Sequence, residues 1–264
     1  GKWAAEKTAG WQIEPPPENA PPGAVPKKKR TAIKIQNFRT KKEALEALEF
    51  HKGLKSYEPT RLVELKCLAE SLGIGAFFVK DESSRFGLNA FKGLGGSFAM
   101  HKLAPDGKSR SFVTATDGNH GRGVAWAAKM MGHEAYVYLP EGSSDERLEN
   151  IKKLGANAEI TSLDYDDTVR YAAKLAEANS WILIQDTAWE GYEKYPTWIM
   201  QGYCTMALEA VRQLGNVKPT HVFLQAGVGA MAGAVTAFLT EFYGENARPR
   251  IVIVEPHNAN CYYR

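Results

Sequence analysis

The chain has 264 residues, of which 44% are hydrophobic and 24% charged, with a formal net charge of +3. This excludes wholesale disorder, collagen and coiled coil, and the length suffices for one large domain or two smaller ones around a real core. The charge is uneven: residues 1–34 carry seven Lys/Arg against three Glu, a local +4 that leaves the remainder at −1, so nucleic acid is not an expected partner.

Residues 1–30 hold six of the thirteen prolines and end in KKKR. Proline excludes regular pairing, so residues 1–35 are expected to form a disordered basic tail. The Lys27–Arg30 run reads as a solvated linker, with a targeting signal or an anion-binding patch as the alternative. The chain begins with Gly and its first methionine is Met100, so it is not expected to be a complete translation product. Three widely spaced cysteines, Cys67, Cys204 and Cys261, show no metal-ligand spacing. They indicate buried thiols in a reducing compartment, and with no signal peptide visible the expected location is the cytoplasm.

From residue 40 the pattern becomes periodic. Residues 41–52 place Leu45, Leu48 and Phe50 on a helical face. Residues 60–72 read as a second helix closed by Gly73, and Ala76–Lys80 as a buried strand. A strand-to-helix alternation follows. Strands are expected at 112–116, 135–140, 158–161, 181–186, 221–226 and 250–256, with helices after each of the first three, at 197–214 and at 230–244. The helix after residue 142 is expected to be capped by Ser143 or Ser144, with acids in its first turn. The uncharged run 222–239 contains Gly229-x-x-x-Gly233, but Gln225 and its glycines dilute it, so a strand followed by a helix is expected and not a membrane span.

Apolar strands alternating with helices imply an α/β fold of open, twisted, parallel-type sheets with helices on both faces. A small domain is expected at 96–189. Residues 36–95 and 190–264 would form a larger domain around a second sheet. Ligands of such folds sit at the carboxyl ends of the strands.

Chemistry-bearing residues cluster there. Lys92 stands between Phe91 and Gly93, Gly95 and Gly96 in an otherwise uncharged stretch. The glycines would let another molecule approach the backbone. Desolvation would weaken the lysine's hold on its proton and free the amine for a Schiff base. The segment Thr116-Asp117-Gly118-Asn119-His120-Gly121 follows a strand and opens a helix. Its N–H groups can hold an anion and Asp117 is an acid–base candidate, although Asp117 and Asn119 could equally serve as helix caps. Gly227-Val228-Gly229-Ala230-Met231 has the grammar of an anion cradle. A dinucleotide site using Glu255 is the alternative, but Gly233 comes one place late for that fingerprint. Asp186 ends a strand, where it can face a cleft or simply form a turn.

Together the segments NAFKGLGGS, DGNHGRG and GVGAM resemble the fold-type II pyridoxal-phosphate enzymes. Adding YDDTVR, QDTAWEGY, PTWIMQGY and VEP, the chain from about residue 55 onward resembles the diaminopropionate ammonia-lyase branch. The resemblance implies pyridoxal 5'-phosphate as cofactor and α,β-elimination of the small-molecule amino acid 2,3-diaminopropionate to pyruvate and ammonia. It implies a homodimer; no membrane partner is expected, and no metal-ligating residue stands out in the sequence. Phe91 and Lys92 would hold the cofactor, the latter covalently. Asn119 would bond its phenolic oxygen, and Gly227, Val228, Gly229, Ala230 and Met231 would cradle its phosphate. Lys92 or Asp117 would remove the α-proton from opposite faces, and Asp186 would lie near the substrate amine. Relatives acting on serine or threonine usually carry Ser or Thr in place of Asp117, which separates the main alternative, a dehydratase-like lyase. A third reading is a non-catalytic relative. Relatives continue beyond Arg264, so the large domain is expected to be C-terminally incomplete and to leave an apolar sheet edge exposed.

Overall fold

The structure, a computed structural model, describes residues 40–260. The expected basic tail and Cys261 lie outside them. Three sheets are present among the described residues.

The first helix, α1 (Thr40–Lys52), buries Ala44, Ala47, Leu48 and His51, a stripe at i, i+3, i+4 and i+7. Of the face expected from Leu45, Leu48 and Phe50, Leu48 is buried while Leu45 is 40% exposed. The buried stripe pairs two small alanines with Leu48 and His51, and it is this face that α1 turns toward its neighbours.

The expected helix 60–72 is corrected. Residues Arg61–Glu64 form strand β1, paired antiparallel with β2 (Phe78–Asp81) in the register Arg61↔Asp81 and Glu64↔Phe78. Helix α2 is confined to Lys66–Leu72 and ends on Gly73 in the left-handed conformation, φ 65°. Tertiary bonds override the helical pattern here, because the carbonyl of Thr60 accepts from Lys80 Nζ at 2.7 Å and Gln213 Nε2 at 2.8 Å. The exposed Cys67 on α2 also departs from the expectation of buried thiols, which Cys204 meets.

Helix α3 (Lys92–Leu103) leads to a parallel four-stranded sheet in the order β5-β4-β3-β6. Its strands are β3 (Ser111–Ala115), β4 (Glu134–Leu139), β5 (Asn157–Ile160) and β6 (Ile182–Leu183). The connecting helices are α4 (Asn119–Met131), α5 (Asp145–Lys152) and α6 (Tyr165–Asn179). Ser144 caps α5 by accepting from the amide of Arg147, with Asp145 and Glu146 in the first turn, and Asp164 caps α6 through the amide of Asp167. Val113 and Ala115 of β3 pack on Ala172 and Ala176 of α6. Phe112, on the opposite face, joins the main core. Both faces of this sheet are therefore covered, as parallel sheets require.

Helix α7 (Lys194–Leu214) packs against α1, α3 and α8 (Ala230–Tyr243). A parallel pair, β7 (His221–Gln225) and β8 (Arg250–Val254), flanks α8 in sequence. The uncharged run 222–239 thus divides into a strand, a turn and a helix, and no helix among the described residues is long and apolar enough to cross a membrane. Phe223 and Val254 on this pair are 62% and 50% exposed.

Candidate active site

Lys92 is the first residue of α3. Its position is set by close helix crossings at glycines. A Cβ on Gly95 would lie 2.6 Å from Ile199 and from Tyr203 of α7, and one on Gly93 would lie 2.9 Å from Phe86. A Cβ on Gly123 of α4 would meet the carbonyl carbon of Lys92 itself at 2.8 Å. The expectation that Gly93, Gly95 and Gly96 admit another molecule is therefore corrected: these glycines admit the neighbouring parts of the protein.

The Lys92 ammonium meets Asp186 at 2.5 Å, Nζ to Oδ2, with 20% of the lysine side chain exposed and 4% of the aspartate side chain. It also lies 5.5 Å from the Phe91 ring centroid and 5.7 Å from that of Tyr203. Phe91 and Tyr203 contact each other edge to face at 5.2 Å.

Asp186 is delivered by a strand that stops early. The expected strand 181–186 pairs only over Ile182 and Leu183, because side chains take over the backbone groups beyond. Gln185 Oε1 accepts from the amide of Ala115 at 3.2 Å, and His120 Nε2 donates to the carbonyl of Ile184 at 2.9 Å. On the open edge, Tyr192 Oη donates to the Leu183 carbonyl and accepts from the Gln185 amide, each at 2.9 Å. Every polar group of Leu183–Gln185 named here is satisfied without a further strand, which fixes the backbone entering Asp186.

Burial alone would raise the carboxyl of Asp186, but the positive charge that a protonated His120 ring carries in acid and the Lys92 ammonium outweigh it and hold Asp186 down at about 2. Burial likewise works against the Lys92 ammonium, yet the Asp186 carboxylate, with Tyr203 adding, holds it above its ordinary value. The expected loosening of the Lys92 proton is thus reversed in this structure. Tyr165 is pushed up to about 12, first by burial and then by the carboxylates of Asp186 and Asp117.

Asp117 and Asn119 are both exposed, in the turn from β3 into α4. Thr116 Oγ1, not either of them, accepts from the amides of Gly118 and Gly121 at 2.9 and 3.1 Å. Arg147 steadies the turn by donating to the Asp117 carbonyl at 2.8 Å. His120, in the same turn, brings this segment against Asp186, with Nδ1 3.7 Å from Oδ2.

The turn from β7 to α8 exposes Gly227 and Val228. Gly229 adopts φ 91° before the helix, and Ala230 and Met231 are buried in its first turn. A Cβ at Gly227 would meet nothing within 4 Å, so the turn is open. The first N–H groups of such a helix have no partners within it and suit an anion. Helix α7 links α8 to the Lys92 helix: Ile199 and Tyr203 face Gly95, while Cys204 Sγ lies 3.8 Å from the Ala234 carbonyl. The Lys92 amine and the open N-terminus of α8 are, taken separately, the two kinds of group that an aldehyde carrying a phosphate needs.

Sequence reasoning assigned no role to His120, Tyr203, Tyr165, Tyr192 or Gln185. His120 and Tyr203 stand inside the motifs DGNHGRG and PTWIMQGY, but the contacts named above span 64 or more positions and leave no local signal.

The family described as pyridoxal-phosphate dependent enzymes matches residues 54–264. Diaminopropionate ammonia-lyase of Salmonella typhimurium is 51% identical over 244 residues, which is 83% of this chain and 60% of that protein. The Escherichia coli enzyme of the same name is 48% identical, with the same coverage. A crystal structure of the Escherichia coli enzyme with an aminoacrylate-PLP azomethine reaction intermediate superposes with a TM-score of 0.83 at 48% identity, covering 86% of this chain and 63% of that one. The chain thus spans about 60% of the length of the curated relatives it matches.

Proposed function

Because the chain belongs to the pyridoxal-phosphate-dependent enzymes, we propose that it carries the cofactor-binding and proton-moving residues of a lyase that eliminates ammonia from 2,3-diaminopropionate, giving pyruvate and a second ammonia. The observation that carries this reading is the Lys92–Asp186 contact at the start of α3, beside the Asp117–His120 turn. The names of the relatives support the substrate.

Pyridoxal phosphate supplies an electron sink for the charge left when an α-proton is removed. Lys92 would bind its aldehyde, Asn119 its phenolic oxygen, and the N–H groups of Gly227, Val228, Gly229, Ala230 and Met231 its phosphate. Phe91 packs beside the amine and limits water there. Asp186 fixes the direction of Lys92 Nζ. Lys92 moves the α-proton on one face, and the exposed Asp117 carboxylate is the base for the other. A β-amino group leaves only if it is protonated, which requires a donor among these residues. Residues 36–95 with 190–264 form the cofactor-binding part on this reading and 96–189 the smaller part, supported by the four-stranded sheet between Ser111 and Leu183. A cytoplasmic homodimer belongs to the same proposal.

The test is pyruvate release by the chain with pyridoxal phosphate, from D- and L-diaminopropionate and from serine. Faster turnover of diaminopropionate, lost in Lys92→Ala, is the expected result. A preference for serine would replace this reading by the dehydratase-like one, and no turnover by the loaded chain would favour the non-catalytic one.

A further inference from the structure

An ammonium is not a nucleophile, so Lys92 must shed a proton before its amine can attack an aldehyde. The ion pair with Asp186 opposes this, and the carboxylate that holds the proton is only 4% exposed, so an acceptor on the protein side is favoured over water. His120 is placed to be one. It is 6% exposed, and its Nε2 donates to the carbonyl of Ile184 at 2.9 Å. A carbonyl only accepts, so Nε2 carries the hydrogen and the neutral ring has its lone pair on Nδ1. That atom has no hydrogen-bond partner and lies 3.7 Å from Asp186 Oδ2, the same oxygen that receives Lys92 Nζ. A bare nitrogen lone pair facing a carboxylate oxygen is an unfavourable arrangement that one added proton turns into an attraction.

We propose that His120 is the holding place for the Lys92 proton: when Lys92 gives up its charge, the proton passes by way of Asp186 Oδ2 to His120 Nδ1. One N–H bond on Lys92 breaks and one forms on His120. The carboxylate remains a carboxylate, and the trio keeps its net charge, so the transfer avoids exposing an unpaired charge in a buried site. His120 acts through Asp186 and is a positioning residue for the proton. The other groups facing the trio are Tyr203 from α7, Tyr165 from α6, Tyr192 on the open edge and Asp117 in the turn. The phenols of Tyr203, Tyr165 and Tyr192 are held above their ordinary values, by burial first, and so do not compete as anions at neutral pH.

The inference rests on Lys92 being the amine that takes the cofactor, but its test does not require the cofactor. Nitrogen-15 NMR of the imidazoles, with His120→Asn identifying the signal, reports the protonation of each ring nitrogen. In the parent chain at pH 7 His120 should be the neutral ring with hydrogen on Nε2. In Lys92→Met it should be an imidazolium at the same pH, and Lys92→Met/Asp186→Asn should return it to neutral. A neutral His120 in Lys92→Met would overturn the proposal. Should that variant not fold, the parent chain with added pyridoxal phosphate is read in the same way, with visible imine absorbance as an independent sign of loading. Absorbance with a neutral His120 overturns the relay alone, whereas absence of absorbance counts against the functional reading.

Discussion

Lys92 Nζ and Asp186 Oδ2 lie 2.5 Å apart although 94 positions separate the two residues, one at the first position of α3 and the other just past β6. The pair settles a competition between two opposing effects on the lysine. Burial favours the neutral amine, the carboxylate favours the ammonium, and the carboxylate prevails. Asp186→Asn removes that attraction and leaves burial. The neutral fraction of Lys92 at pH 7 should then rise about tenfold or more, since one pKa unit is a factor of ten. Competitive acetylation of the cofactor-free chain, read by mass spectrometry of the peptide containing residue 92, measures this. Equal labelling of parent and variant would show that Asp186 does not control the amine.

His51 ties three helices through a neutral ring. Its Nε2 donates to the Leu94 carbonyl at 3.0 Å, and its Nδ1 is 2.8 Å from Thr205 Oγ1. With the ring fully buried, desolvation lowers it from 6.5 to about 3. Between those values the unfolded chain binds a proton at this position and the folded chain does not. Stability is therefore complete above about pH 6.5 and falls as the pH drops toward about 3, by about 1.4 kcal/mol per unit from this group. Urea unfolding at pH 7 and pH 5 should show a larger acid loss in the parent than in His51→Gln, by about 2 kcal/mol. Parallel behaviour of the two proteins would mean that the ring is charged or accessible in the fold.

A second buried charge system holds the β1–β2 pair to α7. Glu209, 4% exposed, accepts from Arg85 Nη1 and Nη2 at 2.9 and 2.7 Å and from Tyr57 Oη at 2.8 Å, and it lies 2.7 Å from Lys80 Nζ. Arg85, 1% exposed, also donates to Glu82. Glu209→Gln would leave Arg85 and Lys80 short of one negative charge in a dry environment. Breaking one side of such a system costs about 3–5 kcal/mol, and the remaining Glu82 places this case toward the lower end. Denaturant unfolding should show the midpoint falling accordingly with little change in slope. A loss within about 0.5 kcal/mol, the range of ordinary surface substitutions, would contradict the buried-network account.

The parallel sheet was readable because each of its strands and helices carries its own local signal: β-branched runs, capping residues such as Asp164, and glycine closures. Where tertiary bonds decide, the pattern misled. Residues 61–64 repeat like a helix but are drawn out as a strand against β2, and 184–186 look like strand but are held by Tyr192, His120 and Gln185 side chains. The same division runs through the site. Lys92 and Asp186 could be picked out by type and position at element ends. Their contact, and the reversal of the proton affinity expected for Lys92, depend on a pairing across 94 positions that no periodicity encodes.

The glycine at 123 offers the closest link between helix packing and the reactive amine. It lies inside α4, where exchange to alanine would ordinarily gain about 1 kcal/mol from helix propensity. Here the added methyl would sit 2.8 Å from the carbonyl carbon and 2.9 Å from the carbonyl oxygen of Lys92, both backbone atoms that cannot rotate away. Overpacking costs about 1–3 kcal/mol, so the clash outweighs the gain and α3 must move off α4 at the residue that carries the amine. Gly123→Ala should therefore lower stability in urea and also change Lys92 acetylation. Gly75→Ala, where an added Cβ meets nothing within 4 Å, should change neither beyond about 0.5 kcal/mol or its labelling equivalent. If Gly123→Ala proved as stable as the parent with Lys92 labelled at the parent rate, the close crossing of α3 and α4 would not be what positions the lysine.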